Sequence, residues 1–243
     1  MKSYPLRLLE DDVYSIPIDA FFKSAFSVDC AIFGYHDRDL KILLIQRGAA
    51  PYENFWALPG DLVYPDEDLD GAATRVLKDL TSLTDIPIRQ VRTFGQVNRH
   101  PLGRVITVAY LALVEPTDLA PQASSWAKST KWHSLNEVPS LAFDHSEILQ
   151  ESLGTLKNRL LTEDIFSNVL PQKFTLTEFQ ALFETILEKE FDKGNFRKKL
   201  VQFKFLKKLT ESQKNVSHRP SSLYSFDEKK FNKMTEKGFA FDF

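Results

Sequence analysis

The chain has 243 residues, 43% of them hydrophobic and 26% charged, enough for one large core or two modest ones, which excludes a mini-protein and wholesale disorder. No apolar run approaches the roughly 20 residues of a membrane span, acidic residues precede any signal-like stretch, and the lone Cys30 can form neither an internal disulfide nor a zinc cluster; together these fit a reducing cytoplasm. The net charge of −2 hides a division, because residues 171–243 hold fifteen basic against ten acidic side chains while residues 1–170 hold sixteen against twenty-three, as expected when a nucleic-acid-binding module follows an acidic one.

Residues 1–24 show no clean period and are expected to be an N-terminal extension packed on the first domain. Two β-branched, apolar strands over 27–35 and 40–46 flank the polar turn His36-Asp37-Arg38-Asp39, which predicts a hairpin. Proline and glycine punctuate 51–60. Residues 70–83 then place Ala73, Val76, Leu77, Leu80 and Leu83 on one face at helical spacing. Strands are expected over 89–97 and 104–114, a short one over 130–133, and a long helix over 146–161. This order gives an α/β (α+β) sandwich rather than a helical bundle. Helical periodicity stops at 164–172, where Pro171 marks a linker between a domain over 25–163 and a second over 173–243. Thr175-Leu176-Thr177-Glu178 has the spacing of a capping box and opens a helix with Phe179, Leu182, Phe183 and Ile186 on its inner face. A second helix follows Gly194, and short strands over 205–209 and 223–226 enclose a polar loop. Helix, helix, strand, loop, strand is the order of a winged helix.

The stretch WALPGDLVYPDEDLDGAATRVLKDLTSL, residues 56–83, resembles the Nudix signature: Gly, five residues, Glu, seven residues, Arg-Glu, an apolar residue, one residue, Glu-Glu, one residue, Gly. In the frame that keeps an acid and the arginine, Asp61 stands at the first glycine, Glu67 at the first glutamate and Arg75 at the arginine. Val76, Asp79 and Leu80 then replace the helix glutamates, and Ser82 the last glycine. The resemblance implies a Nudix-like α/β/α sandwich. Mg²⁺ needs several oxygen ligands, and Val76 and Leu80 supply none, so no catalytic residue, metal or cofactor is expected and hydrolysis is expected to be lost. Arg75 and Asp79 are expected to form an i,i+4 ion pair or to brace the loop.

The segments GQVNRHPLGRVITVAYLAL and LAFDHSEI resemble the Nudix-related transcriptional regulators, which join a Nudix-like domain to a C-terminal winged helix. Some of these sense ADP-ribose or related nucleotides; others, with eroded boxes, respond to pentoses. On that resemblance the effector expected is a pentose, L-arabinose ahead of xylose, with ADP-ribose as the alternative for a regulator or for a working hydrolase. Arg47, Trp56, Asp61, Glu67, Arg99, His100, Arg104 and Tyr110 are the candidate ligand-binding residues, with Phe55 a further aromatic for a sugar face. Asp144 and His145 either cap the long helix or reach the pocket. In the second domain Asn195, Arg197, Lys198 and Lys199 open the second helix, where Asn pairs with adenine, Arg with guanine and Lys with phosphate. Lys207 continues the basic surface, and Arg219 sits in the wing. A homodimer on a palindromic operator is expected, with no membrane partner.

Overall fold

The structure is a computed structural model that describes residues 24–116, 119–214 and 220–242. Apart from Ser24, the expected N-terminal extension lies outside the described residues, as does Arg219.

The predicted hairpin is formed by β1 (Ala25–His36) and β2 (Asp39–Arg47), which pair only near the turn, from Phe33↔Ile42 to His36↔Asp39. Further along they diverge. The opening is filled by two strands too short for a sequence period to reveal, β3 (Trp56–Ala57) against β2 and β4 (Gly60–Leu62) against β1. The helix α1 (Leu69–Thr81) follows, and then β5 (Arg89–Phe94) pairs with β6 (Val105–Val114). β6 runs parallel to β1 along its length, and β7 (Ala127–Ser134), longer than expected, pairs with β2.

Side chains alternate across a strand, so β1 feeds two cores. Val28, Cys30 and Ile32 pack under α1 with Val76, Leu77 and Leu80. Ala31 and Phe33 face the opposite layer, where the long helix α2 (His145–Thr162) contributes Ile148, Leu153, Leu156 and Leu160. A sheet with both faces covered explains the near-continuous apolar run of β1. Cys30 is fully buried, and that burial pushes its thiol far above the usual range, which fits a structural side chain and not a nucleophile.

Beyond α2, residues 165–168 make a 3₁₀ turn and Phe166 is fully buried, its ring 4.8 Å from that of Phe226 and 5.3 Å from that of Phe179. The stretch read as a linker therefore anchors the second core. That core is aromatic, with Phe179 and Phe183 of α3 (Leu176–Leu187), Phe196 of α4 (Lys193–Gln202), and Phe205, Phe231 and Phe241. The capping box is present: Glu178 N donates to Thr175 Oγ1 at 3.1 Å, and Thr175 N donates to the Glu178 carboxylate at 2.6 Å. β8 (Leu206–Ser212) and β9 (Ser222–Phe226) complete the winged helix. A last helix, α5 (Glu228–Thr235), was not expected from the sequence because Phe231 is its one buried side chain and a single anchor makes no period.

The two domains share one apolar cluster, continuous from Phe33 and Leu44 to Phe179 and Phe205. Polar contacts reinforce the junction. Lys157 of α2 pairs with Glu188 beyond α3 at 2.7 Å, and Phe241 N donates to the carbonyl of Leu161 at 2.8 Å.

Ser82, which replaces the glycine of the Nudix box, caps α1 at φ 59°, the left-handed region that costs a side-chain-bearing residue about 1 kcal/mol or more. Its hydroxyl makes only a long bond, 3.3 Å to the Gln122 carbonyl. Ser82→Gly is expected to raise stability by up to about 1 kcal/mol, net of the entropy glycine adds to the unfolded chain. Thermal unfolding checks this, and a lowered midpoint would show that the hydroxyl outweighs the backbone strain.

Candidate functional site

Where β1 and β2 separate, they leave a cleft of about 600 Å³, within the range of pockets that hold a whole small ligand. Ser27 and Asp29 of β1, Arg47 at the end of β2, Gly60 and Asp61 of β4, and the turn carrying Arg99, His100 and Arg104 line it. Trp126, Phe143 and His145 close it. Gly60 is required by close approach: a Cβ there would lie 2.0 Å from an Asp29 carboxylate oxygen.

A buried charge network forms the floor. Arg99, only 4% exposed, makes two bonds to Asp144, Nε to Oδ2 at 2.8 Å and Nη2 to Oδ1 at 2.6 Å, and its Nη2 reaches Asp29 Oδ2 at 3.4 Å. Thr107 Oγ1 donates to Asp29 Oδ2 at 2.7 Å. Leu58 N donates to His145 Nδ1 at 3.0 Å, which places the imidazole proton on Nε2, 3.4 Å from Asp29 Oδ1. Burial holds the His145 pKa below its ordinary value despite the attraction of Asp29 and Asp144, so the ring is neutral at pH 7. Asp144 precedes α2 but its side chain does not cap the helix; it is committed to Arg99. Of the two roles expected for Asp144 and His145, His145 takes the pocket, while Asp144 takes neither and holds Arg99 from behind the lining.

Above this floor, Arg47 lies over the rings of Trp126 and Phe143, 4.9 Å from each centroid, and its Nε donates to the Pro51 carbonyl at 2.8 Å. His100 stacks on Phe143 at 5.0 Å and 14°. Its pKa is lowered by burial and by Arg99 and Arg47. Arg104 Nη1 donates to the carbonyls of Gly95 and Gln96, at 2.6 and 3.0 Å. Asp61 accepts a bond from Trp126 Nε1 at 3.3 Å. Arg99 is matched by Asp144 and Asp29, while Arg47 and Arg104 hydrogen-bond to backbone carbonyls and present their charge to the cleft, a donor set that suits an anionic group beside aromatic side chains.

Five of the eight expected ligand residues meet here: Arg47, Asp61, Arg99, His100 and Arg104. The other three do not line the cleft. Trp56 packs against the α2-side core, edge-on to His133 at 4.6 Å, because its place in β3 points it into the layer below. Tyr110 belongs to the α1-side core, where its hydroxyl donates to Asp70 at 2.6 Å and accepts from Gln90 at 2.9 Å. Glu67 is held by Arg75 in two bonds, 2.7 and 2.9 Å, which keep its carboxyl below the usual range. Arg75 also donates to the Leu62 carbonyl at 2.8 Å and pairs with Asp79 at 3.7 Å, so it both braces the loop and forms the i,i+4 pair. Phe55, the further aromatic, is exposed and not among the lining residues. Asp29, Trp126 and Phe143 were missed; a lone carboxylate inside the apolar run of β1 was the available signal for Asp29.

The box residues do not fit a divalent cation. Val76 and Leu80, at the positions of metal-binding glutamates, are buried in the α1 core, and Glu67 is occupied by Arg75. Among the described residues no group of three His, Cys, Asp or Glu side chains is arranged to hold a metal.

In the winged helix, α4 buries Phe196 and Leu200 and exposes Asn195, Arg197, Lys198 and Lys199. The exposed set is divided. Asn195, Lys198 and Lys199 line one groove, with Phe191 and Gln202, and Lys199 Nζ donates to the Asp242 carbonyl. Arg197 turns to another groove, where its Nη2 donates to Thr177 Oγ1 at 2.9 Å. Lys207 is exposed on β8.

Comparisons with known proteins match both domains. The family profile described as NUDIX domain matches residues 23–152, and that described as NrtR DNA-binding winged helix domain matches residues 166–226. An ADPR responsive transcriptional repressor of Acinetobacter baylyi is 33% identical over 204 residues, covering 82% of this chain and 81% of its own. The crystal structure of Shewanella oneidensis NrtR complexed with a 27mer DNA superposes with a TM-score of 0.69 at 28% identity, over 89% of this chain and 97% of that one. The NUDIX domain of the same protein complexed with ADP ribose gives a TM-score of 0.54 at 33% identity, over 58% and 94%. These relatives do not support the pentose expectation; they favour the nucleotide alternative.

The lowered pKa of His145 fixes a direction for acid sensitivity. Unfolding restores its ordinary value near 6.5, so below that pH the unfolded chain binds the extra proton and stability falls until the folded value is passed. His145→Asn keeps an acceptor for Leu58 N–H and removes this proton uptake. Between pH 7.5 and 5.5 the variant is expected to lose less stability to urea than the parent; equal losses would contradict a buried neutral His145.

Proposed function

The chain belongs to the Nudix family, as a regulator of the NrtR type with a C-terminal DNA-binding winged helix, and from that premise we propose that it binds ADP-ribose in the β1–β2 cleft and thereby alters its hold on operator DNA. The observation that carries this is the cleft itself, which Arg47, Arg99 and Arg104 all line and where Arg47 lies over Trp126 and Phe143. A diphosphate gives Arg47 and Arg104 an anion to neutralise and competes with Asp144 for Arg99, and an adenine packs beside Trp126 and Phe143. A neutral pentose offers neither.

The chemistry of the box favours sensing over turnover. With Val76 and Leu80 buried and Glu67 bound to Arg75, this chain lacks the carboxylate clamp that hydrolysis of a diphosphate requires. Binding reaches the DNA through Arg99. In the free protein its charge is satisfied by Asp144 and Asp29; an anion in the cleft competes for the same guanidinium and loosens Asp144 at the start of α2. The other end of α2 is bonded to the winged helix through Lys157–Glu188 and through Leu161 and Phe241. A ligand that binds one arrangement of α2 better than another shifts the population of DNA-competent molecules. Two winged helices on a palindromic site, as a homodimer, would supply the specificity one lacks.

Thermal unfolding of the full chain tests the effector. ADP-ribose at 100 times its Kd is expected to stabilise by about 2.7 kcal/mol, with L-arabinose and D-xylose leaving the midpoint unchanged. Arg104→Ala, which removes one charged donor, is expected to weaken ADP-ribose binding about ten-fold by calorimetric titration. Stabilisation by a pentose alone, or Mg²⁺-dependent release of AMP at about 1 s⁻¹ or faster, would overturn the proposal.

A further inference from the structure

The division of the α4 side chains assigns Arg197 a role different from its neighbours. At about 100° per residue, Arg197 stands on the face of α4 away from Asn195 and Lys199. Its groove, about 220 Å³, lies between α3, α4 and β9, with Thr175, Thr177, Ser221, Ser222 and Tyr224 as its other polar lining. Among the described residues no carboxylate lines it. The bond to Thr177 uses one of the five N–H donors of the guanidinium and holds that end against the groove wall. A groove of this size takes a phosphodiester and excludes a base pair, and an arginine flanked by hydroxyls is the donor set that a phosphate selects. One turn further along, Val201 is 57% exposed, an apolar side chain in the open on a cationic helix. Together they describe a surface with a charged rim and an apolar patch beside it, which matches the backbone and the thymine methyl edge of a DNA major groove.

We propose that the groove of Arg197, Thr177, Ser221 and Ser222 seats one DNA backbone phosphate, so that Arg197 positions the winged helix on the duplex and does not read guanine. The proposal rests on the DNA-binding reading above and corrects the role expected for Arg197 from its place on the helix. Asn195, Lys198 and Lys199 open onto the other groove, where Lys199 already serves the Asp242 carbonyl.

Fluorescence anisotropy of the full chain tests it, with two labelled duplexes: one of random sequence, one enriched from a random pool by the parent protein. Arg197→Ala is expected to weaken both about ten-fold, by the same factor, and to reduce the slope of log affinity against log salt by about 0.9. Arg197→Lys keeps the slope while losing the planar fork, and Thr177→Val, with the charge untouched, weakens both duplexes equally. Selective loss on the enriched duplex would make Arg197 a base reader and overturn the proposal. So would unchanged binding by Arg197→Ala with the fold intact by circular dichroism. If the parent binds neither duplex at low salt, the DNA-binding reading itself fails and takes the phosphate seat with it.

Discussion

The bidentate pair between Arg99 and Asp144 is the interaction on which the rest of the molecule depends. Both groups are almost wholly buried, and a buried charge is tolerated only when it is paired and hydrogen-bonded. Removing Arg99 would leave the Asp144 and Asp29 carboxylates without their counter-ion at a cost of about 3–5 kcal/mol, whereas removing Asp144 leaves the guanidinium to Asp29. The pair also joins parts distant in sequence. Arg99 belongs to the turn between β5 and β6, Asp144 to the start of α2, and Asp29, which shares the guanidinium, to the central strand. One guanidinium thus ties the cleft, the sheet and the long helix to a single geometry.

From that point the structure divides its tasks. The divergence of β1 and β2 opens the cleft, and the side chains that line it come from strand ends and from the turns that carry Pro51, Arg99, Trp126 and Phe143. α2 carries the geometry away from the cleft, along a face packed with Ile148, Leu153, Leu156 and Leu160, to a winged helix whose core is a cluster of phenylalanines. Phe166, immediately beyond α2, is part of that cluster, so the connection between the domains is short and packed and not a free tether.

Much of this was legible in the sequence, for physical reasons. Apolar spacing gave α1, α2 and α3 within a residue or two at most ends, and Thr175 with Glu178 gave the start of α3 because a capping box is a local device. The erosion of the Nudix box was readable from Val76 and Leu80, which cannot ligate a metal in any fold. What escaped was set by three-dimensional packing. Trp56 and Tyr110 are as polar-tipped as any pocket residue, but β3 and β6 point them into opposite core layers. Glu67 is an acid at the right spacing whose partner, Arg75, lies eight residues on, across a loop. Asp29 was passed over inside an apolar strand, and α5 has a single buried anchor. The effector expected from the eroded box was a pentose; the relatives do not support it and favour the ADP-ribose alternative.

Transmission from cleft to DNA through Asp144 is tested most directly by titrating ADP-ribose into a complex of the full chain with labelled duplex, for the parent and for Asp144→Asn. The parent is expected to change its DNA affinity by about five-fold or more as the cleft fills. Asp144→Asn, which keeps the shape of the side chain and removes its charge, is expected to bind ADP-ribose and duplex each on its own and to lose the response of one to the other. A parent that ignores ADP-ribose while bound to DNA, or an Asp144→Asn variant that responds as the parent does, would contradict it.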